Sequence, residues 1–256
     1  MASGPGSGDG REDRIDAVRR RCGFPEPDGR ARIRLVPART SPVGQGRGAG
    51  EHLQRLCRLA RKSRYPDYFA EAAELERTAT TISEYAPTLV PGLLQTEGYA
   101  RDLIRATQLF APQEEVDDRV TARMERQRML AQSAPPELWA VIHEAALRIP
   151  VGGPATMHEQ LRHLLELGHD HYRIVVQVLP FEAGSAAFLN GTVIQMTFPD
   201  APPVSYAESA YTGQLVEEPR LVAQYQRAYD LIRAAALSPK ASLALIQSVA
   251  KDYKTP

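Results

Sequence analysis

Two apolar runs decide the fold: Leu138-Trp-Ala-Val-Ile-His143 and Arg173-Ile-Val-Val-Gln-Val-Leu179. Both are short and rich in Val, Ile or Leu, and prolines bound them, which is typical of buried strands. Residues 155–167 between them have the periodicity of a helix. A strand, a helix and a strand within about forty residues have the length of a βαβ unit, although spacing alone leaves the direction of strand pairing open.

Further elements extend this unit in both directions. The stretch Thr80–Tyr85 is prone to form a strand, and 192–198 and 203–208 predict two strands that form a plausible hairpin across Pro199-Asp-Ala-Pro-Pro203. Helical patterns cover 68–78, 96–107, 114–132, 219–236 and 238–250. In the third of these, we assign Arg123 and Arg126 to the solvent face. The sequence therefore predicts an α+β fold, a small mixed β-sheet flanked by several helices, with helical N- and C-terminal parts.

Composition narrows the class of protein. The chain has 256 residues, with 31 Lys and Arg against 31 Asp and Glu, so it lacks the positive excess of a protein that binds nucleic acid by charge alone. Two cysteines predict neither a disulfide framework nor a cysteine-based zinc site. No signal peptide or membrane-spanning run is evident, so we expect a cytoplasmic protein with no membrane partner.

The N-terminal stretch differs from the rest of the chain. Residues 1–50 are rich in Gly, Pro, Arg and Asp, and hold ten Arg against six acidic residues. We expect this segment to be disordered or a remnant, and residues 51–256 to form a single domain. Residues 51–64 have the pattern of a basic helix, which favours a solvated face over a nucleic-acid contact because it lacks a partner helix for docking.

Five ordered motifs resemble a known family. The first is Tyr85-Ala-Pro-Thr-Leu-Val-Pro-Gly-Leu-Leu-Gln-Thr-Glu-Gly-Tyr-Ala-Arg101, and the others occupy 119–127, 138–148 with Pro150-Val-Gly-Gly153, 176–181 and 235–239. Together they resemble the C-terminal, effector-like domain of unknown function found in actinobacterial XRE-type helix-turn-helix transcriptional regulators. The resemblance covers about residues 51–250.

The resemblance implies a sensing or partner-binding role. It implies a small-molecule effector, or one of the small regulatory partner proteins often encoded beside such regulators. In that family a helix-turn-helix precedes the domain, whereas residues 1–50 here have no apolar-periodic helix pair of that kind. Either the DNA-binding head is lost or the start of the reading frame is wrongly assigned, so we expect DNA binding only if a separate head is supplied. A homodimer is plausible.

Seven polar residues within apolar motifs are the candidate ligand- or partner-binding residues: Gln95, Glu144, Arg148, Gln177, Tyr206, Glu208 and Tyr211. Glu144 and Arg148 have the spacing of an ion pair on a helix, or Glu144 faces a pocket. Gln177 lies in an apolar strand and needs hydrogen-bond partners, so it either ties down a loop or contacts a ligand. Strand alternation places Tyr206 and Glu208 on one face, which is either a site or solvent-exposed.

Enzyme signatures are missing from the sequence. We find no Walker A sequence, GxSxG elbow, HExxH or GxGxxG, and the close pair His169 and His171 has no further zinc-ligand pattern. We expect no cofactor, no bound metal and no catalytic residue. Three hypotheses remain: a regulatory binding domain, an enzyme of undescribed type that uses Glu144, Arg148 or Glu208, and a degenerate regulator fragment.

Overall fold

A computed structural model describes residues 67–210 and 212–253 of the chain. The predictions made for residues 1–66 lie outside these ranges. The described helices are α1 (Asp67–Glu76), α2 (Glu97–Thr107), α3 (Gln113–Gln127), α4 (Glu144–Arg148), α5 (Gly153–Asp170), α6 (Pro219–Ala235) and α7 (Pro239–Asp252). The strands are β1 (Thr81–Ala86), β2 (Glu137–His143), β3 (Ile174–Leu179), β4 (Thr192–Thr197), β5 (Val204–Ser209) and β6 (Thr212–Val216).

The six strands form one mixed sheet in the order β3-β2-β1-β4-β5-β6. Strands β1, β2 and β3 are parallel, so β2, α5 and β3 form the expected βαβ unit. Strand β4 pairs antiparallel with both β1 and β5, which confirms the hairpin. The short edge strand β6, antiparallel to β5, was not predicted, since Thr-Gly-Gln-Leu-Val has little apolar alternation. The α+β prediction is confirmed.

Alternation along the strands divides the core between the two faces of the sheet. The first face buries Ile82, Ala140 and Ile194 against apolar side chains from α1, α2, α5 and α7. The second face buries Tyr85, Val141 and Leu179 against Tyr229 and Ile232 of α6. These core residues are Val, Ile, Leu, Ala and aromatic, and they line a sheet covered by helices on both sides.

Helix α3 corrects one sequence prediction. The pattern predicts a single helix to residue 132, but the α-helix ends at Gln127 and tightens into a 3₁₀ turn over Arg128–Ala131. The assignment of Arg123 and Arg126 to the solvent face was wrong, because the side chain of Arg126 is 9 % exposed and Arg123 is half-buried. A charged residue on a helix is buried where another buried charge faces it, and helical periodicity alone carries no sign of that partner.

The C-terminal helix begins as the sequence predicts. Ser238 is the N-cap of α7, its Oγ accepts a hydrogen bond from the backbone N–H of Ala241, and Pro239 occupies the first helical position. The helix then packs on α5 and β3, where the backbone N–H of Val178 donates to Ser242 Oγ over 2.9 Å. None of the helices within the described ranges is both long and apolar enough to cross a membrane.

Candidate functional site

The segment between β1 and α2 is a buried loop without regular structure for most of its length. Pro87 and Pro91 exclude a continuous helix, and Val90, Leu93 and Leu94 are buried. Backbone polar groups buried in such a segment need hydrogen-bond partners from elsewhere. Two glutamines from neighbouring helices supply many of them.

Gln160 and Gln127 each form two hydrogen bonds with the backbone of this loop. Gln160 of α5 accepts from the backbone N–H of Thr96 over 2.7 Å and donates to the Leu94 carbonyl over 2.8 Å. Gln127 of α3 donates to the carbonyls of Gly92 and Gln95 over 2.9 and 2.8 Å. Gln127 belongs to the second sequence motif, residues 119–127, and the loop belongs to the first, residues 85–101. These hydrogen bonds therefore connect the two motifs.

A group of five charged side chains lies between this loop, α1 and the first face of the sheet. We call it the charged cluster, and its members are Glu76 of α1, Glu84 of β1, Arg123 and Arg126 of α3, and Glu208 of β5. Glu76 is 1 % exposed and Glu84 is 4 % exposed, whereas Glu208 is only partly covered. The charges are thus buried at one end and reach the surface at Glu208.

The buried end of the charged cluster has unused hydrogen-bonding capacity. Arg126 Nε lies 3.6 Å from Glu76 Oε2, which is an ion pair but too long for a good hydrogen bond. Among the described residues, neither carboxylate oxygen of Glu76 has a hydrogen-bond partner, and nor does Arg126 Nε. Buried charged groups in native proteins are nearly always hydrogen-bonded, so the exception indicates a possible site.

Packing confines the Arg126 guanidinium closely. It stacks over the ring of Phe69 with 4.7 Å between the guanidinium carbon and the ring centroid. On its other side it lies against Gly92, where any Cβ atom would collide with Nη2. The glycine of the Val-Pro-Gly turn therefore leaves room for a cation, a role that turn chemistry alone does not suggest.

The protonation of the cluster reflects its burial. The pKa of Glu84 is raised to about 8, mainly by burial and also by the neighbouring Glu76 and Glu208 carboxylates, while Arg126 and Arg123 act in the opposite direction. Burial also raises the pKa of Glu76 and of Glu208, against the pull of Arg126. Burial lowers the pKa of Arg123 to about 10, and repulsion from Arg126 acts in the same direction.

Three of the seven residues singled out in the sequence lie at this cluster. Gln95 accepts a hydrogen bond from Arg123 Nη1 over 2.6 Å. Tyr206 shares the first face of the sheet with Glu208, as alternation predicts, and interacts with the Glu208 carboxylate and with the Tyr68 carbonyl at 3.2 Å. Tyr211 lies outside the described residues.

Glu144 and Arg148 lie elsewhere and have structural partners. Arg148 Nε donates to Glu144 Oε1 over 2.7 Å across one turn of α4, as the spacing indicates. The second oxygen, Oε2, accepts from the backbone N–H of Phe181 over 3.1 Å. Strands β1 and β4 separate the strand that precedes Glu144 from the strand that carries Glu208, which corresponds to about 14 Å. That is wider than the carboxylate pairs of glycoside hydrolases, which lie about 5–9.5 Å apart.

Gln177 occupies the second face of the sheet. Its Oε1 accepts from Trp139 Nε1 over 2.7 Å, and its Nε2 donates to the Leu237 carbonyl over 2.7 Å. Leu237 precedes the cap of α7, so the amide connects β2, β3 and the junction between α6 and α7. Both polar ends of the side chain have protein partners.

Sequence reasoning missed Glu76, Glu84, Arg123 and Arg126 as site residues. A signal existed for two of them. Glu76 falls on the buried stripe of α1 with Phe69, Ala72 and Ala73, and Glu84 is the one charged residue in the otherwise apolar and hydroxyl-bearing strand Thr81–Ala86. An acidic residue at an inward position of an element is a stronger indication than a polar residue inside a motif.

A second concavity lies beside the loop, between the N-terminus of α2 and one side of α5. This cleft has a volume of about 330 Å³ and is lined by Thr96, His158, Glu159, Arg162, His163 and Glu166. Its Arg162 and Glu166 form an exposed ion pair at 3.1 Å, and burial lowers the pKa of His163. Exposed pairs of this spacing are common on helix surfaces, so the cleft is a weaker candidate than the charged cluster.

Comparison with known families agrees with this architecture. The family model described as "Domain of unknown function (DUF5753)" matches residues 69–248, which include the described helices and strands almost entirely. The chain belongs to the DUF5753 family. No curated protein and no solved structure was found to match it. Within this DUF5753 domain, the charged cluster holds more buried side-chain atoms without a hydrogen-bond partner than any other group of the described residues.

Proposed function

We propose that this DUF5753 domain is a regulatory binding module, the effector part of an XRE-type transcriptional regulator, and that it binds a small polar molecule at the charged cluster. The observation that carries the proposal is the Glu76 carboxylate, which is 1 % exposed and has no hydrogen-bond partner among the described residues. The motif resemblance to regulator effector domains supports the regulatory part of the proposal.

Energetics favour a functional reason for such a cluster. Leaving a buried polar group without a hydrogen bond costs about 1–3 kcal/mol, and more when it is charged. A ligand that donates hydrogen bonds to Glu76 recovers that free energy on binding. The unpaired carboxylate then makes the empty site less stable than the ligand-bound site, and this difference in free energy favours binding.

The location favours a small molecule over a partner protein. Glu76 and Glu84 are covered by the sheet and the helices, so a protein surface does not reach them, and Glu208 is the half-exposed member of the cluster. The site is also placed for regulation. Glu76 is the last residue of α1, so a ligand that moves Glu76 acts on that helix.

The test is equilibrium dialysis of the purified full chain against a deproteinised extract of actinobacterial cells. Metabolites enriched on the protein side are identified by mass spectrometry. We expect one enriched compound with the wild type and with the surface control Glu166→Gln, and a loss of enrichment with Glu76→Gln/Glu208→Gln. Folding of each variant is checked by circular dichroism. A folded wild type that enriches no compound, or equal enrichment by the double variant, would overturn the proposal.

A second candidate function is acid–base catalysis at the same cluster. Burial raises the pKa of the Glu84 carboxyl to about 8, a value that suits proton transfer at neutral pH. The same dialysis separates the two functions, because an enzyme depletes a compound and accumulates a product, whereas a binding module leaves the total amount of each compound unchanged. Turnover that Glu84→Gln abolishes establishes the enzyme.

A further inference from the structure

The order of the strands marks a place for a ligand at the carboxyl end of β1. From β1 the chain proceeds to β2 and β3 on one side, and it then returns to β4 on the other side of β1. The progress of the chain across the sheet therefore reverses between β1 and β4. In open sheets with parallel strands and helices, ligands bind outside the carboxyl ends of the strands at such a reversal.

Two buried polar groups without hydrogen-bond partners lie at this junction, on the second face of the sheet. Tyr85, near the carboxyl end of β1, is 0 % exposed, and its hydroxyl has no partner among the described residues. Gln195 of β4 accepts a hydrogen bond from Ser205 Oγ over 2.8 Å, but its buried Nε2 likewise has none. Val193 lies opposite Tyr85, so Gln195 is the diagonal neighbour of Tyr85, at a backbone separation of about 7–8 Å. Both free groups can donate a hydrogen bond.

Residues 180–191, which we call the strap, cover this part of the second face. They connect β3 to β4 and therefore pass the carboxyl ends of β2 and β1, a distance of about 14 Å. Ala183, Ala186 and Phe188 of the strap pack against the core cluster that contains Tyr85. The other side chains of that cluster are apolar or aromatic, and none is charged.

Side chains, rather than the backbone, hold the strap in place. Among the described residues, the backbone hydrogen bonds of 182–190 stay within the strap, and its first anchor is the bond from the Phe181 N–H to Glu144 Oε2. Phe188 is the one non-glycine residue with positive φ in the described ranges, 59°, and its ring centroid lies 5.2 Å from that of Tyr225 in α6. A left-handed backbone is unfavourable for a residue with a Cβ. A strained segment with few bonds to its surroundings opens more easily than the core.

We infer that the strap opens by release of Phe188, and that a neutral small molecule with an aromatic ring and a carbonyl oxygen binds in place of the Phe188 side chain. The carbonyl oxygen accepts a hydrogen bond from the Tyr85 hydroxyl, with Gln195 Nε2 as the neighbouring donor, and the ring replaces Phe188 against Tyr225. A neutral ligand fits because the cluster under the strap has no charged residue to pair with an ion. The charged cluster lies on the other face of the sheet, so this site is independent of the proposed function.

Ligand-observed NMR of the full chain measures the binding of two probes. Acetophenone carries the ring and the carbonyl oxygen, and ethylbenzene has the same carbon skeleton without the acceptor. Phe188→Ala removes the ring that the ligand must displace, so we expect acetophenone to bind about tenfold more tightly than to the wild type. Phe110→Ala is the matched control, because Phe110 is 98 % exposed in a different loop, and it leaves the affinity unchanged.

Tyr85→Phe tests the hydrogen bond. In the Phe188→Ala background we expect it to weaken acetophenone binding about fivefold and to leave ethylbenzene binding unchanged. By itself, in the ligand-free protein, it is expected to raise the melting temperature, because it removes a buried hydroxyl that has no partner.

Three outcomes would overturn the inference. They are equal affinity of the two probes for Phe188→Ala, absence of acetophenone binding to this variant when circular dichroism shows it folded, and a lower melting temperature of Tyr85→Phe. The last result would mean that an ordered water already satisfies the Tyr85 hydroxyl. If Phe188→Ala does not fold, Phe188→Leu takes its place with the same expectations, because leucine vacates the ring position and keeps an apolar contact.

Discussion

Arg123 Nη1 donates a hydrogen bond to Gln95 Oε1 over 2.6 Å, and the same amide donates from Nε2 to the Val90 carbonyl over 2.7 Å. Gln95 is 3 % exposed. One side chain therefore satisfies a buried cation on one side and the backbone of the proline-rich loop on the other. The charged cluster and the loop are consequently parts of one hydrogen-bonded unit, and a change in either affects the other.

The first prediction concerns this shared amide. Gln95→Leu keeps the volume but leaves the Arg123 guanidinium and the Val90 carbonyl without these bonds, so we expect a loss of about 2–4 kcal/mol in the free energy of unfolding. Urea denaturation measures it. The double variant with Arg123→Met removes the unpaired cation as well and is expected to recover part of the loss. Strict additivity of the two single changes would show that the residues are not coupled.

The second prediction concerns Gln160 of α5, which forms hydrogen bonds with the same loop. Gln160 is fully buried and bonds to both Thr96 and Leu94. Gln160→Met fills the same space without the amide, and we expect it to lower the free energy of unfolding by about 2–4 kcal/mol, since two backbone groups lose their partners. Gln113→Met is the control, because its amide reaches only the Asp117 carboxylate at the surface. Equal effects of the two changes would contradict the structural role of Gln160.

Much of the fold could be predicted from the sequence because burial of one face gives apolar residues a regular spacing along a helix or strand. The alternating and continuous apolar runs of β1 to β5 and the capped start of α7 are local signals, and the structure confirms them. The edge strand β6 has no such signal, since only Val216 of its five residues is buried.

The candidate site was less accessible to sequence reasoning, because a buried charge is recognisable only with its partner. Arg126 lies fifty residues after Glu76, and its position in a highly charged helix is indistinguishable by sequence from that of Arg119, whose side chain is 28 % exposed. Tyr206, Glu208 and Gln95 were identified because each interrupts an apolar motif. The contact that gathers them belongs to the packing of α3 on the sheet, which no local pattern encodes.

The third prediction is a dependence of stability on pH. The pKa of Glu84 is about 8 in the folded protein and 4.5 as its ordinary value, so between these pH values the folded state binds more protons than the unfolded state. Stability therefore falls as pH rises from about 4.5 to 8, and at pH 7 the cost from this group is about 3 kcal/mol. We expect Glu84→Gln to match the wild type at pH 4.5 and to exceed it at pH 8, measured by urea denaturation. Parallel pH profiles of the two proteins would be inconsistent with this.

The fourth prediction compares two adjacent glycines at the start of α5. Gly152 and Gly153 both have positive φ, 69° and 85°. A Cβ at Gly152 collides with the Asp102 carboxylate, which bonds to Thr156, whereas a Cβ at Gly153 meets no atom within 4 Å. We expect Gly153→Ala to cost about 1–2 kcal/mol from the backbone alone, and Gly152→Ala to cost about 1 kcal/mol more. Thermal unfolding measures both, and the reverse order would show that Asp102 moves freely.

Strand β1 lies near the centre of the sheet although it is the first of the described strands. Its parallel partner β2 begins 56 residues after the start of β1. Its antiparallel partner is β4, in which Thr197 lies opposite Thr81. During translation at about 5–20 residues per second, β1 and its buried Glu84 wait roughly 6–20 s before β4 emerges to cover that edge. Until then the apolar centre of the domain is an open template for other chains, so assembly on the ribosome is the stage at which this protein depends most on protection from aggregation.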